Sequence, residues 1–121
     1  MKKNKSLSAV IDLGSSGIRL LIAEKRATKW KALETLERKT SLGRDVFLTE
    51  EISEDSFQQV IEILRLYKEY IDSWGIAASR IRCIATSAVR EAHNRDMFIE
   101  RVELQTGFAF KVLEAMEANL L

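Results

Sequence analysis

A short stretch near the start of the chain combines an acid, small residues and hydroxyls in a way that could bind phosphate. Asp12 lies near the end of an apolar run, which is followed by a turn of Gly14, Ser15, Ser16 and Gly17. Small residues in a tight turn leave backbone N–H groups uncovered, and such groups beside two hydroxyls can bind an anion. We expect the glycines to reach positive φ there. The plainer alternative is a strand pair with a glycine-rich turn, since short glycine-rich matches are common by chance.

Two later segments supply the other residue types that phosphate chemistry needs. Thr86, Ser87 and Arg90 follow one apolar run, and Glu117 follows another. An arginine binds phosphate oxygens through paired N–H groups, and acids hold Mg²⁺ or orient a water molecule. Each residue also has a structural alternative. Thr86 and Ser87 could cap a helix, Arg90 could form a surface salt bridge worth about 0–1 kcal/mol, and Glu117 could be an ordinary exposed helix acid.

The elements that position these residues begin with three strands. Alternating apolar residues predict a hairpin of Leu7–Leu13 and Ile18–Glu24. A polar turn at Lys25–Lys29 leads to a third antiparallel strand at Trp30–Lys39. Thr40–Ile52 contains glycine and charged residues and is predicted to be a loop.

Helical spacing of apolar residues starts after this loop. A long amphipathic helix is predicted to begin after Ser53, which can cap it, and to end at Gly75. A second helix is predicted at Arg95–Thr106, with Asn94 as its cap.

The remaining segments alternate between strand and helix. Strands are predicted at Arg80–Thr86 and Phe108–Leu113, a short helical piece at Thr86–Asn94, and the first turns of a final helix at Glu114–Leu121. The order β-β-β-α-β-α-β-α predicts a mixed α/β sheet covered by helices. Ligands of such sheets lie beyond the carboxyl ends of the strands. We therefore expect Asp12 and its turn to meet Thr86, Ser87, Arg90 and Glu117 there.

Composition narrows the class of protein. A chain of 121 residues with 46% apolar and 31% charged residues suits one globular domain. The net charge of +1 gives no general attraction to nucleic acid or to a membrane. Cys83 is the only cysteine, which excludes a disulfide scaffold and favours a cytoplasmic location. No stretch is apolar for long enough to span a bilayer, and the basic start lacks the apolar region of a signal peptide.

Four stretches of the sequence resemble the N-terminal domain of the exopolyphosphatase/guanosine pentaphosphate phosphatase family. They are AVIDLGSSGIRLLIAE, the SLG loop, IATSAVREAHNRDMF and the closing EANLL, and together they extend over essentially the whole chain. That family belongs to the actin-like, sugar-kinase and Hsp70 ATPase superfold, whose half-domain is the ribonuclease-H-like β-β-β-α-β-α-β-α unit. The resemblance implies hydrolysis of a phosphoanhydride bond with Mg²⁺, in inorganic polyphosphate or guanosine pentaphosphate.

The resemblance also implies a role for each candidate residue. Asp12 would hold the metal, and Glu117 would be the catalytic base that positions the attacking water. The phosphate-binding residues would be Gly14, Ser15, Ser16 and Arg90. The sequence departs from the family pattern around Glu117, where the usual preceding glycine and following arginine are replaced by Ala115 and Asn119, and in the turn, where Ser and Gly replace the commoner Asn-Ser.

The family has a second lobe with its own phosphate-binding turn, and the chain ends before it. We therefore expect residues 1–121 to form a single N-terminal lobe that has little activity alone and packs on a second lobe or a homodimer mate. Leu120 and Leu121 are the apolar residues predicted at that contact. We expect neither a membrane nor nucleic acid as a partner. The alternatives are an ATPase- or kinase-like lobe of the same superfold, and a non-enzymatic interaction module that keeps the fold without the site.

Overall fold

The computed structural model describes residues 6–114, which form one five-stranded mixed sheet with helices. The strand order is β3-β2-β1-β4-β5, with β1 to β3 antiparallel and with β4 parallel to both β1 and β5. The strands are β1 (Leu7–Leu13), β2 (Gly17–Arg26), β3 (Lys29–Lys39), β4 (Ile81–Ala85) and β5 (Lys111–Val112). The predicted mixed α/β architecture is confirmed.

In the described part of the chain, four helices connect or follow these strands. They are α1 (Leu42–Thr49), α2 (Glu54–Ser73), α3 (Ser87–Glu91) and α4 (Arg95–Thr106). One turn of 3-10 helix, Ala78–Arg80, precedes β4. Within residues 6–114, no helix combines the length and the apolar character that crossing a membrane requires. The final helix predicted at Glu114–Leu121 lies outside the described residues, apart from Glu114.

Strand β1 directs alternate side chains toward the core and toward the opposite face of the sheet. Its buried side chains alternate along the strand: Leu7, Ala9, Ile11 and Leu13. Helix α2 covers this face, where the Tyr67 hydroxyl donates to the Ile18 carbonyl at 2.7 Å. Helix α4 packs beside α2, with the Phe57 and Phe98 rings edge to face at 6.0 Å. Asp12 therefore points to the face opposite α2, since successive side chains of a strand alternate.

The ends of helix α2 follow the sequence signals. The Ser53 hydroxyl accepts a hydrogen bond from the Ser56 N–H at 3.1 Å, as an N-cap does. Gly75, just after the helix, has φ of +73°, the left-handed conformation that glycine adopts without steric cost. Both ends of the predicted helix are confirmed.

The loop predicted at Thr40–Ile52 is wrong, because helix α1 lies within it. Leu42 and Val46 are four residues apart and both are buried, so two side chains are enough to hold this short helix on the core. The helix ends at Glu50, which has φ of +62° and donates its N–H to the Val46 carbonyl at 2.9 Å.

Strand lengths also differ from the prediction. The turn predicted at Lys25–Lys29 is shorter, because β2 and β3 pair as far as their ends and leave only Ala27 and Thr28 between them. Strand β5 is shorter than Phe108–Leu113, because Phe108 and Phe110 are buried by packing while only Lys111–Val112 pairs with β4.

Ala27→Gly is expected to stabilise the protein. Ala27 has φ of +56° in the β2–β3 turn, and a residue with a Cβ in this region costs about 1–2 kcal/mol. Glycine removes that cost but loses about 0.5–1 kcal/mol through its greater freedom in the unfolded chain. Urea denaturation should therefore give a net gain of about 0.5–1 kcal/mol. Thr28→Gly, at a position without positive φ, should lose stability, and a loss for Ala27→Gly would contradict the expectation.

Candidate functional site

The carboxyl ends of β1 and β4 lie side by side and carry two of the predicted site segments. Leu13 pairs with Ala85 in the parallel register, and the Thr86 N–H donates to the Leu13 carbonyl at 3.0 Å. Beyond the strands, the hydroxyls of Ser15 and Ser87 share a short hydrogen bond. The glycine-rich turn after β1 thus contacts the first residue of α3 directly.

The glycines of this turn are not there to provide positive φ, as the sequence analysis expected. Neither Gly14 nor Gly17 has positive φ, so that expectation is wrong. Gly17 is required by close packing, because a Cβ there would lie 2.5 Å from the Arg38 carbonyl oxygen. A Cβ at Gly14 would have its nearest neighbours at 3.7 Å, one of them the Thr86 hydroxyl. A methyl group at Gly14 would therefore make only ordinary contacts, and the Gly14 N–H closes the turn onto the Gly17 carbonyl at 2.9 Å.

The start of helix α1 supports the turn from the other side. The Gly43 N–H donates to the Ser15 carbonyl at 2.9 Å, and the Thr40 N–H donates to the Ser16 carbonyl at 3.2 Å. A Cβ at Gly43 would lie 2.6 Å from the same Ser15 carbonyl oxygen. Sequence reasoning missed this support, although the SLG stretch that contains Gly43 was part of the family resemblance.

Arg90 joins the carboxyl ends of β4 and β5. Its backbone N–H donates to the Thr86 carbonyl at 2.9 Å, and its Nη1 donates to the Leu113 carbonyl at 3.0 Å. Its Nε lies 3.4 Å from Glu91 Oε1, and the side chain is only 17% exposed. Among residues 6–114, nothing accepts a hydrogen bond from Nη2. The guanidinium is thus held at the same end of the sheet as the Asp12 hairpin, and its Nη2 donors remain available for a ligand.

Asp12 carries a carboxylate oxygen that lacks a partner. Its Oδ1 is buried and accepts no hydrogen bond from any residue in the range 6–114. Burial raises the pKa of Asp12 above its usual value, and the charge of Arg19, its register partner on β2, opposes that rise. Arg19 is shared, because its Nη2 also lies 3.5 Å from Glu37 Oε2 on β3. An unsatisfied, partly desolvated carboxylate is a natural ligand for a cation.

The residues fit a magnesium ion only when phosphate supplies part of its coordination. Residues 6–114 contain no group of three or more histidine, cysteine or acidic side chains that could hold a metal. Magnesium is commonly bound by one or two carboxylates, with water and substrate phosphates completing the shell. Asp12 alone suits such a shared site. Glu117, the predicted catalytic base, lies outside the described residues.

Asn94 fixes the end of α1 against the α3–α4 corner. Its Nδ2 donates to the Ile52 carbonyl at 3.0 Å, and its Oδ1 accepts from the Ile52 N–H at 2.9 Å. The His93 N–H adds a bond to the Glu50 carbonyl at 2.8 Å. Asn94 occupies the N-cap position of α4 as predicted, but its side chain makes no capping hydrogen bond to that helix.

Cys83 takes no part in this site. It is buried on the core face of β4, and burial raises the pKa of its thiol to about 12. The thiol is therefore neutral at physiological pH and unsuited to nucleophilic chemistry.

Known proteins resemble this chain over most of its length. A model of the Ppx/GppA phosphatase family matches residues 21–120. A bifunctional 3-dehydroquinate synthase/phosphatase of Fusobacterium nucleatum is 35% identical over 109 residues, which cover 83% of this chain and 16% of that protein. A guanosine-5'-triphosphate,3'-diphosphate pyrophosphatase of Photobacterium profundum is 32% identical over 111 residues, which cover 92% of this chain and 22% of that protein.

Solved structures of related proteins superpose closely on this chain. The crystal structure of the Aquifex aeolicus member of the Ppx/GppA family superposes with a TM-score of 0.81 at 36% identity, covering 88% of this chain and 34% of that one. An exopolyphosphatase-like protein superposes with a TM-score of 0.85 at 29% identity, covering 94% of this chain and 34% of that one. The chain thus spans about a third of these structures and less than a quarter of the two curated relatives. By sequence and by structure, the chain belongs to the Ppx/GppA phosphatase family.

Proposed function

We propose that this chain is the phosphate-binding lobe of a phosphoanhydride hydrolase that acts on inorganic polyphosphate or guanosine pentaphosphate. The observation that carries the proposal is the unpartnered Asp12 Oδ1 beside a turn that contacts the start of α3. The name of the Photobacterium profundum relative, a pyrophosphatase of guanosine-5'-triphosphate,3'-diphosphate, supports the class of substrate. A cytoplasmic location belongs to the same proposal, supported by the unpaired Cys83.

In the proposed complex the terminal phosphates lie between the turn and the arginine. Gly14 has no side chain that would hinder the approach of a phosphate to the backbone. Ser15 and Ser16 are exposed and supply hydroxyl donors. Arg90 supplies its Nη2 donors from a side chain that backbone contacts already orient, so little conformational entropy is lost on binding.

Asp12 would hold Mg²⁺ together with the bound phosphate oxygens. When bound, the ion neutralises phosphate charge and polarises the bond to be broken. The high cost of leaving Asp12 Oδ1 without a partner favours this role, because the incoming cation satisfies it. Glu117 remains the proposed base that positions the attacking water.

The surface of a second lobe, facing the turn, would complete the site. Positioning the phosphates in a water-poor cleft accounts for much of the catalysis of such reactions, and a single lobe leaves them open to solvent. Phe47 on α1, which is 87% exposed, lines a surface pocket together with Ser15, Gly43 and Ser87, and the next residue, Leu48, is 64% exposed. We place the second lobe or a homodimer mate on this apolar surface, and we expect little turnover from the chain alone.

Titration of the chain with inorganic tripolyphosphate, with and without Mg²⁺, tests the proposal. We expect Mg²⁺-dependent binding that Arg90→Ala weakens at least about tenfold, since the charge-assisted contact of Nη2 is lost. Arg65→Ala, on the exposed side of α2, is the matched control and should bind as the wild type does. Phosphate release should stay close to background.

Two results would change this account. Robust turnover by the chain alone would refute the need for a second lobe. Absence of phosphate binding, together with self-association that a polar substitution of Phe47 removes, would favour the non-enzymatic interaction module.

A further inference from the structure

Arg95, the first residue of helix α4, joins two segments on which the proposed function depends. Its Nη1 donates a hydrogen bond to the carbonyl of Arg90 at 3.2 Å. Its Nη2 lies 3.7 Å from Oε1 of Glu114, two residues beyond the end of β5. One side chain thus contacts both the backbone of the phosphate-binding arginine and the chain that leads toward Glu117.

The contact with the Arg90 carbonyl satisfies an acceptor that the end of helix α3 leaves over. The last carbonyls of a helix lack partners within it. At this corner the Ala92 N–H donates to the Val89 carbonyl at 3.2 Å, and the Arg95 N–H donates to the Ala92 carbonyl at 3.3 Å. The Arg90 carbonyl accepts from the Arg95 guanidinium, a donor that suits the negative end of a helix. The Arg90 backbone is therefore fixed from outside its own helix.

The two arginines make a closed set of contacts between α3, α4 and the end of β5. The Arg90 Nη1 donates to the Leu113 carbonyl at 3.0 Å. Leu113 is buried, and its N–H donates to the Ala85 carbonyl at 2.9 Å. Arg95 holds the backbone of Arg90 and contacts the neighbouring Glu114. Because Arg90 is held at its backbone and at Nη1, the direction of its Nη2 group is restricted.

The surroundings of Arg95 suit holding its neighbours better than binding phosphate. Each nitrogen of its guanidinium lies near a protein oxygen, since its Nε is 3.9 Å from Asp96 Oδ1 and its Nη1 and Nη2 face Arg90 and Glu114. Two acids beside one cation reduce its attraction for an anion. Arg90 differs, because its Nη2 has no acceptor among residues 6–114.

We propose that Arg95 is a positioning residue of the phosphate site, acting through the Arg90 backbone and through Glu114. The inference rests on the proposed function, in which Arg90 binds the terminal phosphates. Glu114 precedes the proposed base Glu117 by three positions, so the same side chain holds the chain where that segment begins. Loss of Arg95 should weaken phosphate binding although no group that touches phosphate is removed.

A double-mutant cycle on the 121-residue chain, read by tripolyphosphate titration with Mg²⁺, tests the inference. We expect Arg95→Ala to weaken binding about threefold to tenfold in the wild type. In an Arg90→Ala background the same change should cost less than about twofold, because Arg95 acts through Arg90. In the ligand-free chain, Arg95→Ala should shift the NMR signal of the Arg90 Nε.

Arg95→Lys separates positioning from simple attraction by charge. The variant keeps the positive charge, but one ammonium group does not reproduce the forked contacts of a guanidinium with two partners. We expect it to lose about threefold in tripolyphosphate affinity. Wild-type affinity of Arg95→Lys would show that charge alone matters and would overturn the inference.

Arg101→Ala is the matched control on the same helix. It removes the paired contacts of Arg101 with Glu54, at 2.8 and 2.9 Å, and should leave tripolyphosphate affinity and the Arg90 signal unchanged. A thermal melt checks the fold of each variant. Wild-type affinity of Arg95→Ala, or an equal loss with and without Arg90, would overturn the positioning role and leave the proposed function intact. Affinity that Arg90→Ala does not change would overturn the proposed function, and the positioning role with it.

Discussion

Asp12→Asn will make the chain more stable while removing its Mg²⁺-dependent affinity for phosphate chains. The buried Oδ1 of the wild-type carboxylate has no hydrogen-bond partner among residues 6–114, and burial raises its pKa. A neutral amide avoids the cost of desolvating that charge, so we expect a gain on the order of 1 kcal/mol at pH 7. The same substitution removes the anionic ligand, so Mg²⁺ should no longer strengthen tripolyphosphate binding.

The stability gain should depend on pH in a defined direction. Because the folded-state pKa of Asp12 lies above the usual value of 3.8, the folded state binds a proton more tightly than the unfolded state. The wild-type penalty is therefore absent below about pH 3.8 and grows as the pH rises through the raised pKa. Urea denaturation of the wild type and Asp12→Asn should differ most at pH 7 and least near pH 4.

A matched control isolates the effect of this one carboxylate. Glu37→Gln changes another acid that faces Arg19, but Glu37 is exposed at 46% of its side chain and should alter stability little. A destabilised Asp12→Asn variant, or one whose tripolyphosphate binding still responds to Mg²⁺, would contradict the proposed role of Asp12.

Gly43→Ala is expected to lower both stability and phosphate binding. The added Cβ would lie 2.6 Å from the Ser15 carbonyl oxygen, a backbone atom that cannot move without the turn. Helix α1 must then separate from the turn and break the bond from the Gly43 N–H to Ser15. We expect a loss of about 1–3 kcal/mol in the free energy of unfolding, measured by urea denaturation, and weaker tripolyphosphate binding.

Gly14→Ala provides the complementary variant. A Cβ at Gly14 would have its nearest neighbours at 3.7 Å, which is ordinary contact, so stability should change by less than about 0.5 kcal/mol. The methyl group would hinder the proposed approach of phosphate to the backbone of the turn, so binding should still fall. If Gly43→Ala kept full stability, or if Gly14→Ala kept full binding, this view of the turn would be wrong.

The sequence was sufficient for features that depend on local patterns. Alternation in Leu7–Leu13 predicted β1 with its exact bounds, and Ser53 and Gly75 predicted the ends of α2. Helix α1 was missed because it is short, contains Gly43 and buries only two apolar residues. Two apolar residues at helical spacing do not distinguish a short helix from a polar loop in the sequence.

The contacts that build the site could not be predicted from local patterns. The hydrogen bond between Ser15 and Ser87 joins residues 72 positions apart, and the Asn94 bonds to Ile52 span 42 positions. Gly17 was recognised as a turn glycine, but its requirement comes from the Arg38 backbone of a neighbouring strand. The missing partner of Asp12 Oδ1 likewise depends on packing across three strands.

Mapping tripolyphosphate binding by amide NMR on the ¹⁵N-labelled chain tests the central claim most directly. With Mg²⁺ present, we expect saturable shifts that are largest at the amides of Gly14, Ser15 and Ser87 and at the Arg90 Nε. Omission of Mg²⁺ should reduce them. Shifts confined to the β2–β3 hairpin, or no saturable shift at the turn after β1, would contradict the assignment of this end of the sheet as the phosphate site.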